Sequence, residues 1–484
     1  MGRGTMRHPL AAILLTCSVV VSAGCVRRAE PVRADTGGPF AFRLEVAEAD
    51  RGSPDAPRPF PLEPVPLEAR IEAVGPEGAP AAYDGWVLLR LEPGEVERVE
   101  GAESVGPYVR LAGGSVDGVR VWVSRAFGEA RLWAMDVGFE PSDPAMAACA
   151  NGRDDDGDGR RDWPLDPGCW YANDDDEASG SHAVGLSDPL WFANPTLADV
   201  QGRQGVSPLV GRRVVVEGPP MVVTRITTDG FYVSELDDAG AAVPWGHLFV
   251  FNYSTPPGLR VCDRIQRLTG GVVEFFGFTE LGFPSWRSEP WCPPGQRCRR
   301  PDGTERDGEP CPVPSPFLLD DTVLGTPDVE PWESALVEVR DVQLPTLFGP
   351  AQPPTGSNCD LNGDGEVSLA PGPERDCNDN CMANPGCSEW NQYLEFGQFV
   401  VRVGSKAIGV VTRDSVPDFD PVEHRGEMLA AVRGTLRNFS PLGPQRGYLL
   451  QPRCSQDLAL EGETLPPVGE ACVTPRTGGP EEPE

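Results

Sequence analysis

The sequence predicts an all-β protein made of several domains. Its 484 residues include 53 prolines and 56 glycines, which interrupt helices and mark turns. Between them lie short apolar stretches that have the length and alternation of strands. At about 100 to 200 residues per domain, a chain of this length has room for about two to four domains.

The N-terminus has the pattern of a signal peptide. Arg3 and Arg7 precede an apolar run at residues 10–21, which is shorter than the roughly 20 residues that cross a membrane. No later apolar segment is longer. The tetrapeptide SAGC, which ends at Cys25, resembles the bacterial lipobox and implies a fatty acyl anchor such as palmitate on Cys25. Val26 follows, which by the same resemblance favours the outer membrane or cell surface. The alternative is simple secretion with Cys25 as a spare thiol.

The charge restricts the partners. The formal net charge is −32, and it becomes −34 once Arg3 and Arg7 leave with the signal peptide. Nucleic-acid-binding proteins are normally basic, so the charge argues against nucleic acid as a partner. The expected partners are a membrane, through the lipid anchor, and an unidentified protein or glycan.

Composition and turn signals divide the chain into segments. A polar, proline-containing tether follows Cys25, and a tail rich in proline, glycine and glutamate ends the sequence. The predicted division is a signal peptide at 1–24, a lipidated tether at 25–38, a β-sandwich at 39–144, an acidic calcium-loop segment at 145–185, a β-barrel at 186–315, a second barrel-like unit at 316–462 with a Cys-rich insertion at 355–390, and a disordered tail at 463–484.

Three stretches resemble known modules. GVRVWVSRAFGEARLWAMD resembles the end of a bacterial immunoglobulin-like module. The segments ADVQG, SPLVGRRVVVEG, GFYVSE, LFVFN and VEFFGFTEL resemble, in that order and spacing, the OB-fold module beside secreted endonucleases of the endonuclease/exonuclease/phosphatase type. The stretch from Trp332, resuming at Asn391 and ending near Leu460, resembles the companion half of that module. The resemblance implies an immunoglobulin-like sandwich, an OB-fold-like barrel and a second barrel-like unit, without the separate domain that holds the nuclease centre.

The first acidic loop is the sharpest chemical signal. Between Cys149 and Cys169, acidic residues occupy positions 1, 3, 5 and 9 of a calcium loop, with glycine at position 6 and a backbone carbonyl at position 7. The predicted calcium ligands are Asp154, Asp156, Asp158, Arg160 and Asp162. Position 12 is Leu165, so Asp166 or acidic residues at 174–177 have to complete the shell. Prolines after the loop disfavour a helix, so it resembles a thrombospondin type 3 repeat more than an EF-hand.

A second acidic loop repeats the pattern in the sequence CDLNGDGEVSL. Its predicted ligands are Asp360, Asn362, Asp364, Glu366 and Ser368, with the backbone carbonyl of Glu366 at position 7. Position 12 is Pro371, so Glu374 or Asp376 has to substitute. The alternative for both loops is a solvated acidic turn that binds no ion.

The cysteines predict disulfides. Of 14 cysteines, Cys17 lies in the signal peptide and Cys25 takes the lipid, which leaves an even number for an oxidising compartment. Cys149 and Cys169 bracket the first loop and are expected to form a bridge. Zinc is the alternative for the four cysteines of the 355–390 insertion. The disulfide candidates are Cys149, Cys169, Cys262, Cys292, Cys298, Cys311, Cys359, Cys377, Cys381, Cys387, Cys454 and Cys472.

Catalytic motifs are missing from the sequence. It has no GxSxG elbow, P-loop, HExxH or dinucleotide fingerprint, and His182, His247 and His424 each stand alone. A row of aromatic residues in the second unit is suited to stacking on sugars or bases, although at strand spacing such residues more often form core. These residues are Trp245, Phe249, Phe251, Tyr253, Phe275, Phe276 and Phe278.

Three functions remain open from the sequence. The first is a non-enzymatic surface lipoprotein with calcium-stabilised β modules and a binding or adhesion role. The second is an accessory subunit of an exported nuclease or other hydrolase. The third is a hydrolase whose acidic site carries no recognised motif.

Overall fold

The computed structural model describes residues 41–75, 78–136, 147–155, 160–166, 169, 183–300, 302–344, 372–373, 398–412, 415–421, 424, 426–438 and 447–473. In these ranges the chain forms a β-sandwich, a closed barrel and a third β unit. The predicted all-β, multi-domain fold is therefore confirmed. No described helix is long and apolar enough to span a membrane.

The first unit is a sandwich of two sheets. One sheet has the order β1-β2-β7-β4 and the other β10-β8-β3-β6-β5, with β9 also paired to β8. The strands are β1 (Ala41–Val46), β2 (Val65–Val74), β3 (Gly85–Glu92), β4 (Glu95–Glu100), β5 (Ser104–Val105), β6 (Tyr108–Leu111), β7 (Ser115–Ser124), β8 (Gly128–Asp136), β9 (Val184–Leu186) and β10 (Leu190–Phe192).

Alternation along these strands sorts the two faces of each sheet. In β2, Leu67 and Ile71 are buried, whereas Glu68 and Arg70 between them face solvent. Successive strand side chains point to opposite faces, so one face of β2 joins the core shared by the two sheets. Each large apolar side chain buried there stabilises the fold by about 1.5–3 kcal/mol.

The first acidic segment is an excursion within a hairpin of this sandwich. β8 ends at Asp136 and β9 begins at Val184, and the two strands pair antiparallel, with Met135 opposite Val184. β10 also pairs with β8, opposite Ala130 to Gly128. The sandwich therefore includes 184–192, which the sequence-based division placed at the end of the acidic segment and in the second unit.

The second unit is a closed barrel of the OB type. Its strands are β11 (Arg213–Ile226), β12 (Gly230–Leu236), β13 (Ala242–Phe251), β14 (Arg264–Phe275) and β15 (Phe278–Glu289). They close in the order β11-β12-β13-β15-β14, with β13 and β15 parallel. The helix α1 (Leu197–Gln201) precedes the barrel, begins at a Thr196–Asp199 capping box and buries Leu197 and Val200 in the barrel core. A short hairpin of β16 (Arg297–Arg299) and β17 (Glu305–Asp307) follows it.

The third unit repeats the same strand order. Its strands are β18 (Phe317–Leu318), β19 (Leu336–Gln343), β20 (Gln398–Val403), β21 (Lys406–Val411), β22 (Met428–Asn438), β23 (Tyr448–Gln451) and β24 (Leu458–Leu460). The pairing β19-β20-β21-β23-β22 returns to β19, and β21 and β23 are parallel. The unit is thus a second barrel with the connectivity of the first, as predicted. Its Cys-rich insertion again lies within a hairpin, because β19 and β20 pair at Gln343 and Arg402.

Four disulfides join described cysteines. The predicted bridge between Cys149 and Cys169 is present. Cys262 is bonded to Cys311, and Cys292 to Cys298, around the β16–β17 hairpin. Cys454 is bonded to Cys472, so the chain stays covalently attached within the segment predicted as a disordered tail.

The three units pack in series. Phe60 and Phe127 of the sandwich pack against the core of the first barrel, and Glu95 forms an ion pair with Arg212. An apolar cluster that includes Val222 and Leu336 joins the first barrel to the second. The barrels therefore form a continuous body rather than separate modules on an open linker.

Candidate functional site

The first acidic loop is docked on the sandwich at its beginning. Residues Ala148–Ala150 form a 3₁₀ turn, and Ala148 packs in a cluster with Trp86, Leu88 and Tyr108 on the outer face of the sheet. The Cys149–Cys169 disulfide closes the loop. The Trp163 amide also donates to the Cys149 carbonyl at 3.0 Å. The loop is therefore held to the sandwich at a point that includes one of its cysteines.

Three of the five predicted calcium ligands in this loop lie in the described residues. Asp154, Arg160 and Asp162 are described, whereas Asp156 and Asp158 lie outside the described ranges. Asp162 has a left-handed backbone with φ 51°, and its Oδ1 accepts a hydrogen bond from the Gly152 amide at 3.0 Å. Asp166, a candidate to complete the shell, is only 2% exposed, and its amide donates to the Asp162 carbonyl at 2.9 Å.

Calcium binding by the first acidic loop remains a prediction. Among the described residues, no group of three or more His, Cys, Asp or Glu side chains is placed to hold a metal ion. The following predicted residues lie outside the described ranges: Cys25, Cys359, Asp360, Asn362, Asp364, Glu366, Ser368, Cys377, Cys381 and Cys387.

A row of six aromatic rings on the outside of the first barrel is the second candidate site. The row, here named the aromatic stripe, consists of Tyr232, Phe249, Phe278, Phe251, Tyr253 and Phe283. Ring centroids are 4.8 Å apart between Tyr232 and Phe249, and 5.9 Å between Phe249 and Phe278. The row continues over 6.3 Å from Phe249 to Phe251 and 4.3 Å from Phe251 to Tyr253. It ends 5.1 Å further, at Phe283.

The inner end of the aromatic stripe is covered by the second barrel. Tyr232 and Phe249 are 1% and 2% exposed. The Arg437 guanidinium lies 6.0 Å from the Phe249 ring centre and 5.2 Å from that of Phe278. The Asn438 amide nitrogen donates to the Gly277 carbonyl at 2.8 Å. Strands two and three and the loop between strands four and five form the usual ligand face of an OB barrel, and here much of that face is an internal interface.

The outer end of the aromatic stripe faces solvent. Tyr253 is 57% exposed and Phe283 is 72% exposed. Both have left-handed backbone conformations, with φ 61° and 48°, which bulky side chains rarely adopt. Such conformations cost about 1–3 kcal/mol each and are concentrated at ligand-binding sites. The fold thus maintains two strained residues whose rings are displayed to water.

The aromatic row predicted from the sequence contains four of the six stripe residues and lacks Tyr232 and Phe283. Phe283 directly follows Gly282, which pairs with Phe251 across the parallel β13–β15 contact. The parallel pairing of β13 with β15 is a tertiary feature that the sequence pattern does not show. The aromatic residues of VEFFGFTELGF were the signal in the sequence that could have indicated Phe283. Phe275 and Phe276 form a separate pair at 4.8 Å, and Trp245 is half-buried.

Of the three histidines that follow the predicted signal peptide, two lie in the described residues. His247 is buried, its Nδ1 is 2.8 Å from the Ser234 hydroxyl, and burial lowers its pKa to about 3. His424 pairs with Glu427 at 2.9 Å and stacks on Phe419. His182 lies outside the described ranges.

The fold and its covalent links define a multi-domain, disulfide-bonded β protein with a sandwich and two barrels of OB connectivity. No protein family, curated protein or solved structure matches this chain.

Proposed function

We propose that this protein is a non-enzymatic, lipid-anchored surface protein that binds a neutral glycan at the outer end of the aromatic stripe. The observation that carries the proposal is the contact between the exposed rings of Tyr253 and Phe283, two residues with strained backbone conformations. Phe251 connects them to the covered rings of the same stripe. A preformed row of this kind offers flat apolar faces at little entropic cost on binding.

The size of the exposed end favours a glycan over a protein. An aromatic side chain buries about 150–250 Å² when fully covered, so two rings exposed to this extent offer on the order of 300 Å². A stable protein interface needs about 800 Å² from each partner. A short stretch of sugar rings fits the smaller area. Polar side chains flank the stripe: Asn252 donates to the Ser254 carbonyl, and Arg213 to the Phe283 carbonyl.

Charge favours a neutral glycan over an anionic polymer. The net charge of −32 repels nucleic acids and acidic polysaccharides. Stacking itself does not require charge, because an aromatic face attracts apolar surfaces by dispersion and burial.

The predicted calcium loops and lipid belong to the same proposal. An ion in the first loop stiffens an excursion that starts and ends on neighbouring strands of the sandwich, so it rigidifies one end of the sandwich. A lipid on Cys25 retains the chain at the cell surface, with the tether as a spacer. The disulfides described above suit an oxidising, extracytoplasmic location.

A panel of neutral polysaccharides and oligosaccharides, presented to the purified protein, tests the glycan site. We expect binding by the wild type, and a loss of about five- to 150-fold in affinity in Tyr253→Ala and in Phe283→Ala. Removing one stacked ring costs about 1–3 kcal/mol in aromatic stacking sites.

Phe276→Ala is the matched control. Phe276 is also half-exposed, has φ 53° and forms the separate edge-to-face pair with Phe275. It should bind as the wild type does. Equal loss in all three variants, or capture of proteins but no glycan by the wild type, contradicts the proposal.

A further inference from the structure

Glu333 is a buried carboxyl group at the junction of the two barrels. It follows the 3₁₀ turn Pro327–Trp332 that leads into β19, and it is 2% exposed. Its Oε1 accepts hydrogen bonds from Gln201 Nε2 at 2.7 Å and from the Thr279 amide at 3.2 Å. Gln201 ends α1 and Thr279 lies in β15, so a residue of the second barrel's entry is held by two elements of the first.

The charges around Glu333 are of its own sign. The charged groups that act on it are the carboxylates of Glu330, in the 3₁₀ turn, and Glu274, in β14. Burial, aided by these two carboxylates, raises the pKa of Glu333 to about 8 against the opposing effect of its two hydrogen bonds. A buried carboxylate without a neighbouring cation is costly, and a group in that position retains its proton instead.

The hydrogen-bond inventory agrees with a protonated group. Among the described residues, Glu333 Oε2 is buried without a partner, and so is the amide oxygen of Gln201. A proton on Oε2 converts that oxygen from an unsatisfied acceptor into a donor. Gln201, which already donates to Oε1, carries an acceptor on the same amide group.

We infer that Glu333 is a protonated carboxylic acid and acts as a pH-sensitive latch between the two barrels. The neutral form closes the junction, and ionisation loosens it. Besides Glu330 and Glu274, a titratable group that approaches this turn from another described element is His247. The ring of His247, in β13, lies 5.9 Å from that of Trp332, and it is neutral above pH 6.5 because burial lowers its pKa to about 3. From β22, the Leu436 carbonyl accepts a backbone hydrogen bond from Ser334 at 2.7 Å.

The direction of the pH effect follows from proton binding. An opened junction returns Glu333 to its ordinary pKa of 4.5, whereas the closed junction retains the proton up to about pH 8. The closed state therefore binds more protons between these values, so opening becomes easier as pH rises, by about tenfold per unit. Above about pH 8 both states are ionised and the effect levels off. The same junction covers Tyr232 and Phe249, so opening exposes the inner end of the aromatic stripe.

Hydrogen exchange of the full chain at pH 6.5 and pH 8.5 tests the latch. After correction for intrinsic exchange, we expect the opening equilibrium of segments 197–201, 278–281 and 327–338 to rise roughly thirtyfold in the wild type. In Glu333→Gln, which keeps a neutral group with a donor at that position, the opening equilibrium should be the same at both values. Glu305→Gln, a surface change in β17, should respond as the wild type does.

A wild type without this response, or a Glu333→Gln variant with the full response, overturns the inference. If Glu333→Gln fails to fold, the Gln201→Leu variant tests the latch instead. That change removes a hydrogen bond that lowers the pKa of Glu333, so the midpoint of the response has to move to higher pH. A midpoint that stays in place or moves to lower pH overturns the latch as well.

Discussion

Arg225 of the first barrel donates a hydrogen bond to the Thr435 hydroxyl of the second, with 2.7 Å between Nη1 and Oγ1. The same nitrogen lies 3.1 Å from both the backbone and side-chain oxygens of Gln451. The guanidinium also lies over the Tyr232 ring, 5.7 Å from its centre. One buried cation thus connects the inner end of the aromatic stripe to two strands of the second barrel.

Truncation of Arg225 should weaken this junction. Arg225→Ala leaves the oxygens of Thr435 and Gln451 without their charged donor, and we expect a loss of about 3 kcal/mol in the free energy of unfolding. Chemical denaturation measures it. Arg213→Ala, at an exposed position of the same strand, is the control and should change stability by less than about 0.5 kcal/mol. Equal effects of the two substitutions contradict the role given to Arg225.

The contribution of each disulfide to the free energy of unfolding should depend on the length of the loop that it closes. Cys262–Cys311 spans 49 residues, and Cys292–Cys298 spans 6 residues close to it. In the chain-entropy account, removing the first by paired serine substitutions costs about 4 kcal/mol, and removing the second costs about 2 kcal/mol. Denaturant midpoints of the two double variants give the comparison. A larger loss from the short loop contradicts this ordering.

Calcium should stabilise the β8–β9 excursion. We expect saturating calcium, compared with chelator, to raise the melting temperature and to slow proteolysis within 137–183. Extracellular sites of this kind have dissociation constants on the order of 10⁻⁴ to 10⁻³ M. Asp156→Ala should lose much of the response, and Asp55→Ala, an exposed change in the sandwich, should keep it. The proposal is wrong if calcium leaves the wild type unchanged and Asp156→Ala behaves identically.

His247 and Glu333 should have opposite effects on the pH dependence of stability in the acid range. Burial lowers the pKa of His247 from 6.5 to about 3, so the unfolded state binds more protons between those values. Its contribution to stability is therefore lost as pH falls from 6.5 towards 3, whereas that of Glu333 is lost as pH rises from 4.5 towards 8. Between pH 5 and 6.5 the two effects cancel, and the contribution of this pair to wild-type stability should be nearly flat.

Single variants separate the two groups. Relative to the wild type, His247→Gln should gain stability as pH falls from 6.5 to 5, whereas Glu333→Gln should lose it. Each change should approach tenfold per pH unit in the unfolding equilibrium constant. Denaturant titrations at both pH values measure the difference, with Glu305→Gln, the surface change in β17, as the control that should follow the wild type. Parallel pH profiles for the wild type and both variants contradict the assignment.

Local sequence patterns were sufficient for much of the architecture. Alternation in β2 separates Leu67 and Ile71 from Glu68 and Arg70, and this pattern depends only on the geometry of a strand. The pairing of Cys149 with Cys169 was also predictable, because these cysteines bracket one acidic loop. The sequence did not reveal that the loop is an excursion between paired strands, since the pairing of β8 with β9 spans the whole segment.

The sequence by itself determined the all-β class, the acidic charge and the residue types at the two calcium-loop patterns. Only the tertiary structure decided that the second barrel covers Phe249 while Tyr253 and Phe283 remain exposed. It alone also placed the carboxyl of Glu333 between α1 and β15. Strand alternation and loop spacing are short-range properties of the backbone, whereas burial and pKa depend on which distant segments exclude water from a side chain.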